Sequence, residues 1–250
     1  MRVDELDHYI RDLLQIDRFR DYCPNGLQVE GTREIRTIVS GVTASQALLE
    51  AAIEAKADAV LVHHGYFWRN EDARITGMKR KRIGALIHHG ISLFAYHLPL
   101  DAHPLLGNNA QLANHFGFSL EGWFGEQNIA ALGRLDPPMT LNSLAEKVGT
   151  ALGRTPLVFG PEDEDKEIRT IAWCSGAAQD YFPEAVSQGV DAYLTGEVSE
   201  QSVHIARETG VAFISAGHHA TERFGIQALG EHLKKQFDMC HHFIDIFNPV

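Results

Sequence analysis

His63-His64-Gly65, His97-x-x-x-Asp101 and His218-His219-x-x-Glu222 are three short groups of imidazole and carboxylate, each set just beyond an apolar run. Imidazole and carboxylate together bind zinc, iron, manganese, nickel or cobalt, and the residue types do not choose among them. Three groups offer more ligands than one ion takes, so the pattern predicts a centre of two divalent ions. The expected ligands are His63, His64, Asp101, His218 and Glu222. Five protein ligands on two ions require a bridging carboxylate, and Glu222 is assigned that place. Two ions about 3.5–4 Å apart acidify a shared water and clamp the attacking and leaving oxygens of a hydrolysis.

Each group alone has a plainer reading. Adjacent histidines at a strand end can simply bond to backbone. In an extended chain, though, His63 and His64 point to opposite faces, and Gly65 permits the turn that would bring both to ions. Pro99 restricts Leu98 and breaks regular pairing, which places Asp101 on a loop beyond the strand. Asp101 is then a ligand or a turn cap, and His97 a ligand or a proton shuttle, since imidazole titrates near neutrality. If His218 opens a helix, Glu222 lies at i+4 on the same face, while His219 points elsewhere. It is the coincidence of three groups that favours metal over three separate plain explanations. Glu197 and His204 are candidate extensions of the site, or equally a helix-start carboxylate and a surface histidine. His241-His242 precedes a terminal strand and reads as structural.

The elements that must position these residues alternate. Val3 to Gln15 reads as an amphipathic helix and Tyr22 to Gly26 as a turn. Strands are expected at Ile35–Val42, Ala59–Val62, Ile91–Tyr96 and Ala212–Ser215, and helices at Ala44–Lys56, within Gly77–His89 and at Asn108–Gly117. Asp136-Pro137-Pro138 and the acidic stretch from Pro161 to Glu167 read as loops. The alternation predicts an α/β fold with mostly parallel sheets, whose ligand sites lie at the carboxyl ends of the strands.

Ile35-Arg36-Thr37-Ile38 returns as Ile168-Arg169-Thr170-Ile171, and Asp58-Ala59-x-Leu61 returns as Asp191-Ala192-x-Leu194. The offset is 133 residues at both ends (35 to 168, 58 to 191). A duplicated β-α-β unit explains this, as does chance likeness of two α/β units. Duplication predicts two related lobes, 1–123 with 216–250 and 124–215, with the metal site in the cleft between them. The position matching His63 is Gly196, so the second half would donate its ligands later, at His218 and Glu222.

The 250 residues carry a net charge of −11, which argues against a uniformly basic nucleic-acid binder. The run Met78-Lys79-Arg80-Lys81-Arg82 is a phosphate or nucleic-acid contact, or more simply a solvated helix face. No apolar run reaches the roughly 18 residues of a membrane span, and Met1 to Glu5 does not open a secretory signal. Three cysteines without a CxxC fit free thiols and a cytoplasmic protein.

Pro24-Asn25-Gly26-Leu27-Gln28-Val29-Glu30-Gly31, Val42-Thr43-Ala44-Ser45, His63-His64-Gly65, His97 through Asp101, and Ala216 through Arg223 resemble the NIF-three-like dinuclear-metal family, also labelled GTP cyclohydrolase I type 2 homologue. The resemblance spans nearly the whole chain. It implies a two-lobed protomer, a two-metal site formed by the five ligands above, and a toroidal homohexamer. The expected function is a dinuclear-metal-dependent hydrolase acting on a nucleotide or related heterocycle, with His97 in proton transfer. The alternatives are a non-catalytic metal-handling ring, or a scaffold that binds a partner or nucleic acid. Arg69, Arg74 and the basic run are candidate phosphate contacts.

Overall fold

The computed structural model describes residues 1–32, 34–161 and 166–250. The chain forms two compact units, Met1–Leu106 with Gly225–Phe247, and Gly107–Phe224 with Asn248–Val250. The first contains α1 (Val3–Leu14), β1 (Gly26–Val29), β2 (Thr37–Thr43), α2 (Gln46–Glu54), β3 (Ala59–His64), α3 (Gly77–His89), β4 (Ser92–Ala95) and α4 (Leu98–Ala102). The second contains α5 (Asn108–Phe116), β5 (Phe118–Phe124), β6 (Ala130–Thr140), α6 (Leu141–Leu152), β7 (Leu157–Phe159), β8 (Glu167–Cys174), α7 (Phe182–Ser187), β9 (Ala192–Thr195), α8 (Glu200–Thr209), β10 (Ala212–Ser215) and α9 (His218–Thr221). The chain then returns to the first unit through α10 (Arg223–Phe237) and β11 (Cys240–Phe243).

The first sheet has the order β1-β4-β3-β2-β11 and is parallel except where β1 meets β4. Its central strands are near-continuous apolar runs because both faces are covered. Alternation then sends successive residues to different cores. Ile38, Leu61 and Phe94 pack with Leu6, Ile10 and Leu229 of α1 and α10, while Val39, Val60, Val62 and Leu93 pack with Leu48, Ile83 and Leu86 of α2 and α3. Each such fully buried side chain stabilises the fold by about 1.5–3 kcal/mol relative to exposure.

The second sheet, β5-β6-β8-β9-β10-β7, is mixed. β8, β9 and β10 are parallel, while β5, β6 and β7 join antiparallel. The expectation of mostly parallel pairing therefore holds for the first sheet alone. Asp136-Pro137-Pro138 belongs to β6 and is no loop; the pairing with β8 breaks between Arg134 and Met139, so the prolines sit where no ladder bond is needed. The acidic stretch is seen only at its ends, since 162–165 lie outside the described residues. The unit boundaries fall at 106/107 and 224/225 because Leu112, Phe116, Ala216 and Ala220 pack into the core of the second unit around Trp173. Among the described residues no helix is long and apolar enough to cross a membrane. Among the described residues Cys23, Cys174 and Cys240 form no disulfide.

The internal echo is built the same way in both units. The Asp58 carboxylate accepts the N–H groups of Arg36 and Thr37, each at 3.0 Å, and Asp191 accepts those of Arg169 and Thr170, also at 3.0 Å. Ile38 pairs with Ala59 as Ile171 pairs with Ala192, so the register carries the same 133-residue offset. Burial alone would raise the Asp191 pKa; bonds from Thr170 and Arg169 outweigh it and hold the carboxyl below its ordinary value. These aspartates satisfy backbone donors at the point where a parallel strand begins. Asp58→Ala and Asp191→Ala should each lower stability by about 1–3 kcal/mol in denaturant unfolding, because two donors lose a charged acceptor. A neutral result at either position would show that the two units do not rely on the same device.

Candidate metal centre

In the first unit, parallel pairing sets the carboxyl ends of β2, β3 and β4 side by side, with Thr43 opposite His64 and Val62 opposite Ala95. His63 is fully buried near the end of β3, and its Nδ1 donates to the Tyr96 carbonyl at 2.9 Å. A carbonyl only accepts, so the proton sits on Nδ1 and the lone pair on Nε2. That Nε2 lies 3.6 Å from Asp101 Oδ2. Asp101 is buried in α4 and not on a loop. Pro99 stands in the first turn of that helix, where its missing N–H costs nothing, so it starts a helix as well as ending a strand. His64 Nδ1 lies 3.3 Å from Thr43 Oγ1, and His97 Nδ1 lies 2.7 Å from Asp21 Oδ1. Ligand atoms of His63, His64 and His97 all lie within 4.8 Å of one another.

His97 is held by residues the sequence reading passed over. Asp21 also accepts from the Leu98 N–H at 2.9 Å and from Asn25 Nδ2 at 2.8 Å, while Asn25 Oδ1 accepts the His97 N–H at 2.7 Å. Burial pushes the Asp21 pKa up, but the bond and charge of His97, with Asn25 and Tyr22 behind them, hold it below the ordinary value. Gln28 donates through Nε2 to the carbonyls of Pro24 and Tyr66 and accepts the Tyr66 N–H at 2.7 Å. It thereby ties the turn before β1 to the chain leaving His64. A Cβ on Gly65 would stand 2.2 Å from Gln28 Oε1 and 2.6 Å from the Ala95 Cβ, which has no rotamer to move aside, so glycine is required there. Cys23 lies beside Asp21 and His97, but burial and then the charge of Asp21 push its thiol up to about 12. Without metal it is a neutral thiol at physiological pH.

In the second unit, His218 opens α9 and Glu222 follows it as expected, with Nε2 to Oε1 at 3.1 Å. His218 Nδ1 lies 2.6 Å from Glu197 Oε1. Glu222 is buried, and a Cβ on Gly176 would come within 2.2 Å of its Oε1. Gly176 therefore makes the room the carboxylate occupies. Burial lowers the His218 pKa, but Glu222 and Glu197 outweigh it and raise the imidazole to about 9. Without metal this ring carries a proton between two carboxylates at neutral pH.

The remaining candidates separate cleanly. Glu197 joins the site through His218, whereas His204 is exposed on α8. The His219 N–H donates to the Val250 carbonyl, and its ring is in none of the ligand groups. His241 is buried between Ser40, 2.7 Å away, and Glu231, 2.8 Å away. Ser40 is fully buried in β2, so this Ser-His-Glu chain is structural. Lys79 departs from the solvated-face reading: it is buried, 3.1 Å from Glu71, and bonded to the Asp72 carbonyl. Asp21, Asn25, Gln28 and Gly176 were not named as site residues; the Pro24-Asn25-Gly26 turn and the resemblance motif from Pro24 to Gly31 pointed near the first three.

The donors suit a divalent transition metal: imidazole Nε2 atoms and buried carboxylate oxygens, with no thiolate among them. Gly176→Ala should strip metal by displacing Glu222, and Asp21→Ala should weaken metal retention about 10–100-fold by releasing His97. Metal content after dialysis, with circular dichroism to confirm folding, checks both. Full metal content in folded Gly176→Ala would contradict this account of Glu222.

Residues 1–249 match the model of the Duf34/NIF3 (NGG1p interacting factor 3) family. A Pseudomonas aeruginosa protein named GTP cyclohydrolase 1 type 2 homolog is 57% identical over 251 residues, covering 99% of this chain and 97% of the relative. A Vibrio cholerae protein of the same name is 52% identical, covering 98% of each. Among solved structures, protein ybgI, described as of unknown function, superposes with a TM-score of 0.95 at 49% identity over the full length of both chains. A Thermus thermophilus protein gives 0.90 at 34% identity, again over both full lengths. The chain, whose histidines and buried carboxylates stand at the strand ends of two α/β units, belongs to the Duf34/NIF3 family.

Proposed function

We propose that the chain is a metal-dependent hydrolase of a nucleotide or related heterocycle, with His63, His64, Asp101, His218 and Glu222 as the protein ligands of two divalent ions. The observation that supports it is the fixing of four imidazoles through Nδ1, which leaves Nε2 of each as its ligand or proton-transfer atom. Bound ions would supply Lewis acidity and an acidified water. Asp21 keeps a proton on His97 Nδ1, which makes Nε2 the atom that takes a proton from the nucleophile and returns it to the leaving group. Asp101 and Glu222, both buried, bring the negative charge that two cations need. The names of the relatives point the substrate toward a nucleotide.

Metal analysis on untagged protein, paired with turnover on nucleotides and phosphoesters, tests this reading. It expects near two ions per chain, and Glu222→Ala or Asp101→Ala should lose more than about 100-fold of the activity. Unchanged turnover in Glu222→Ala sinks it. Two ions with no turnover across the panel would favour metal handling.

Metal uptake should also depend on pH. His218 holds its proton up to about 9, and a metal at Nε2 must displace it. Affinity measured by chelator competition should therefore rise about tenfold per pH unit from pH 6 to 8 through this group. The sign follows from the raised pKa: acid favours the protonated, metal-free ring. A flat profile would remove His218 from the ligand set.

A further inference from the structure

The chain leaving His64 carries strain that the metal ligands do not require. Phe67 and Asn70 hold φ of 65° and 72°, the left-handed region that bulky L-residues rarely enter. Such strain persists where surrounding contacts over-determine the backbone. Here they do. Lys79 Nζ lies 5.3 Å from the Phe67 ring centroid and is itself tied to Glu71 and the Asp72 carbonyl. The Trp68 N–H donates to Glu71 at 3.2 Å, and the Arg69 N–H to the Tyr22 carbonyl at 2.6 Å.

What this loop presents is an aromatic and cationic rim beside two of the imidazoles. The Trp68 ring stands 5.0 Å from His97, edge to face, and 5.8 Å from His64. Its indole N–H is already given to the Gly65 carbonyl, so what it offers a ligand is a π-surface. Tyr22 is 53% exposed, unusual for so large a ring. The Arg69 guanidinium lies 5.3 Å over that ring and gives one N–H to the Asp21 carbonyl. Arg69 is exposed and, among the described residues, forms no ion pair. Of the other candidate cations, Arg74 forks onto Asp72 and Lys79 is buried as a strut of the loop, while Arg80 and Lys81 are exposed on α3 and, among the described residues, no contact ties them to the Trp68 ring.

We infer that Tyr22, Trp68 and Arg69 form a recognition subsite for a flat heteroaromatic ring bearing phosphate, the ring stacking on Trp68 and the phosphate meeting the Arg69 guanidinium. This rests on the hydrolase reading above and names the part of the substrate it holds. Aromatic walls favour flat π-systems with little demand on their hydrogen-bonding pattern. Guanidinium takes phosphate through paired N–H groups. An aliphatic phosphoester would use the second feature and waste the first.

The test titrates metal-loaded protein with GMP, guanosine and inorganic phosphate, measuring metal content in the same samples. Trp68→Leu should weaken GMP and guanosine about tenfold or more and leave inorganic phosphate unchanged, with Trp68→Phe recovering most of the loss. Arg69→Gln should weaken GMP but not guanosine. Trp68 is the tryptophan of the first unit, so GMP should quench an emission component that Trp68→Phe lacks. GMP binding within twofold of wild type in both Trp68→Leu and Arg69→Gln, or no such quenching in the wild type, overturns the subsite. Trp68-dependent GMP binding without turnover on any substrate would sustain the subsite and sink the hydrolase reading. Turnover with GMP binding indifferent to Trp68 would do the reverse.

Discussion

An imidazole is a dependable ligand only when its second nitrogen is already bonded, because that bond fixes both the tautomer and the ring plane. His63, His64, His97 and His218 meet the condition through Nδ1, with partners of two kinds. His63 and His64 bond to neutral oxygens, the Tyr96 carbonyl and the Thr43 hydroxyl. His97 and His218 bond to carboxylates, Asp21 and Glu197. A neutral partner orients the ring, whereas a carboxylate also sets a negative charge beside it and holds a proton on Nδ1. The division matches the proposed roles: His63 as a plain ligand in a dry strand end, His97 as the group that exchanges protons. His218 pairs a carboxylate on each nitrogen, which is why it binds a proton so tightly until a cation replaces it.

Holding those rings demands close backbone approach, and glycine supplies it at specific places. Gly65 admits the Gln28 amide that ties the turn before β1 to the strand end after His64. Gly176 admits the Glu222 carboxylate. In each case the polar group would be expelled by a single methyl. The glycine is thus part of the candidate site although it contributes no ligand atom, and it acts through the side chain it accommodates.

The strands and their terminal histidines were legible because a buried parallel strand is an uninterrupted apolar run, and an imidazole at its end breaks the pattern visibly. The i, i+4 relation of His218 and Glu222 was legible because it is local. Asp101 was misplaced onto a loop because Pro99 signals both a strand end and a helix start, and local sequence does not choose between them. The supports of the rings were beyond reach for a different reason. Asp21 and His97 are 76 residues apart, and Gln28 and Tyr66 are 38 apart. No spacing rule joins such pairs; only the strand order does. The prolines of β6 misled in the opposite direction, since a register break lets them remain in a strand.

The shared register of the two units explains why they carry their candidate ligands at different points. Asp58 and Asp191 set the same register, so position 63 of the first unit corresponds to 196 of the second. At 196 the second unit has glycine, and a Cβ there would stand 2.6 Å from the His218 Cα and 2.6 Å from the Gly176 carbonyl oxygen. A histidine at 196 and the segment bearing His218 would compete for one volume. The second unit therefore keeps its β9 end bare and brings its imidazole and carboxylate in on the chain after β10. The first unit, with His63 buried at the end of β3, places its carboxylate on the chain after β4 instead. One scaffold thus carries two sets of donors, and the difference between them follows from whether the middle strand ends in imidazole or in space.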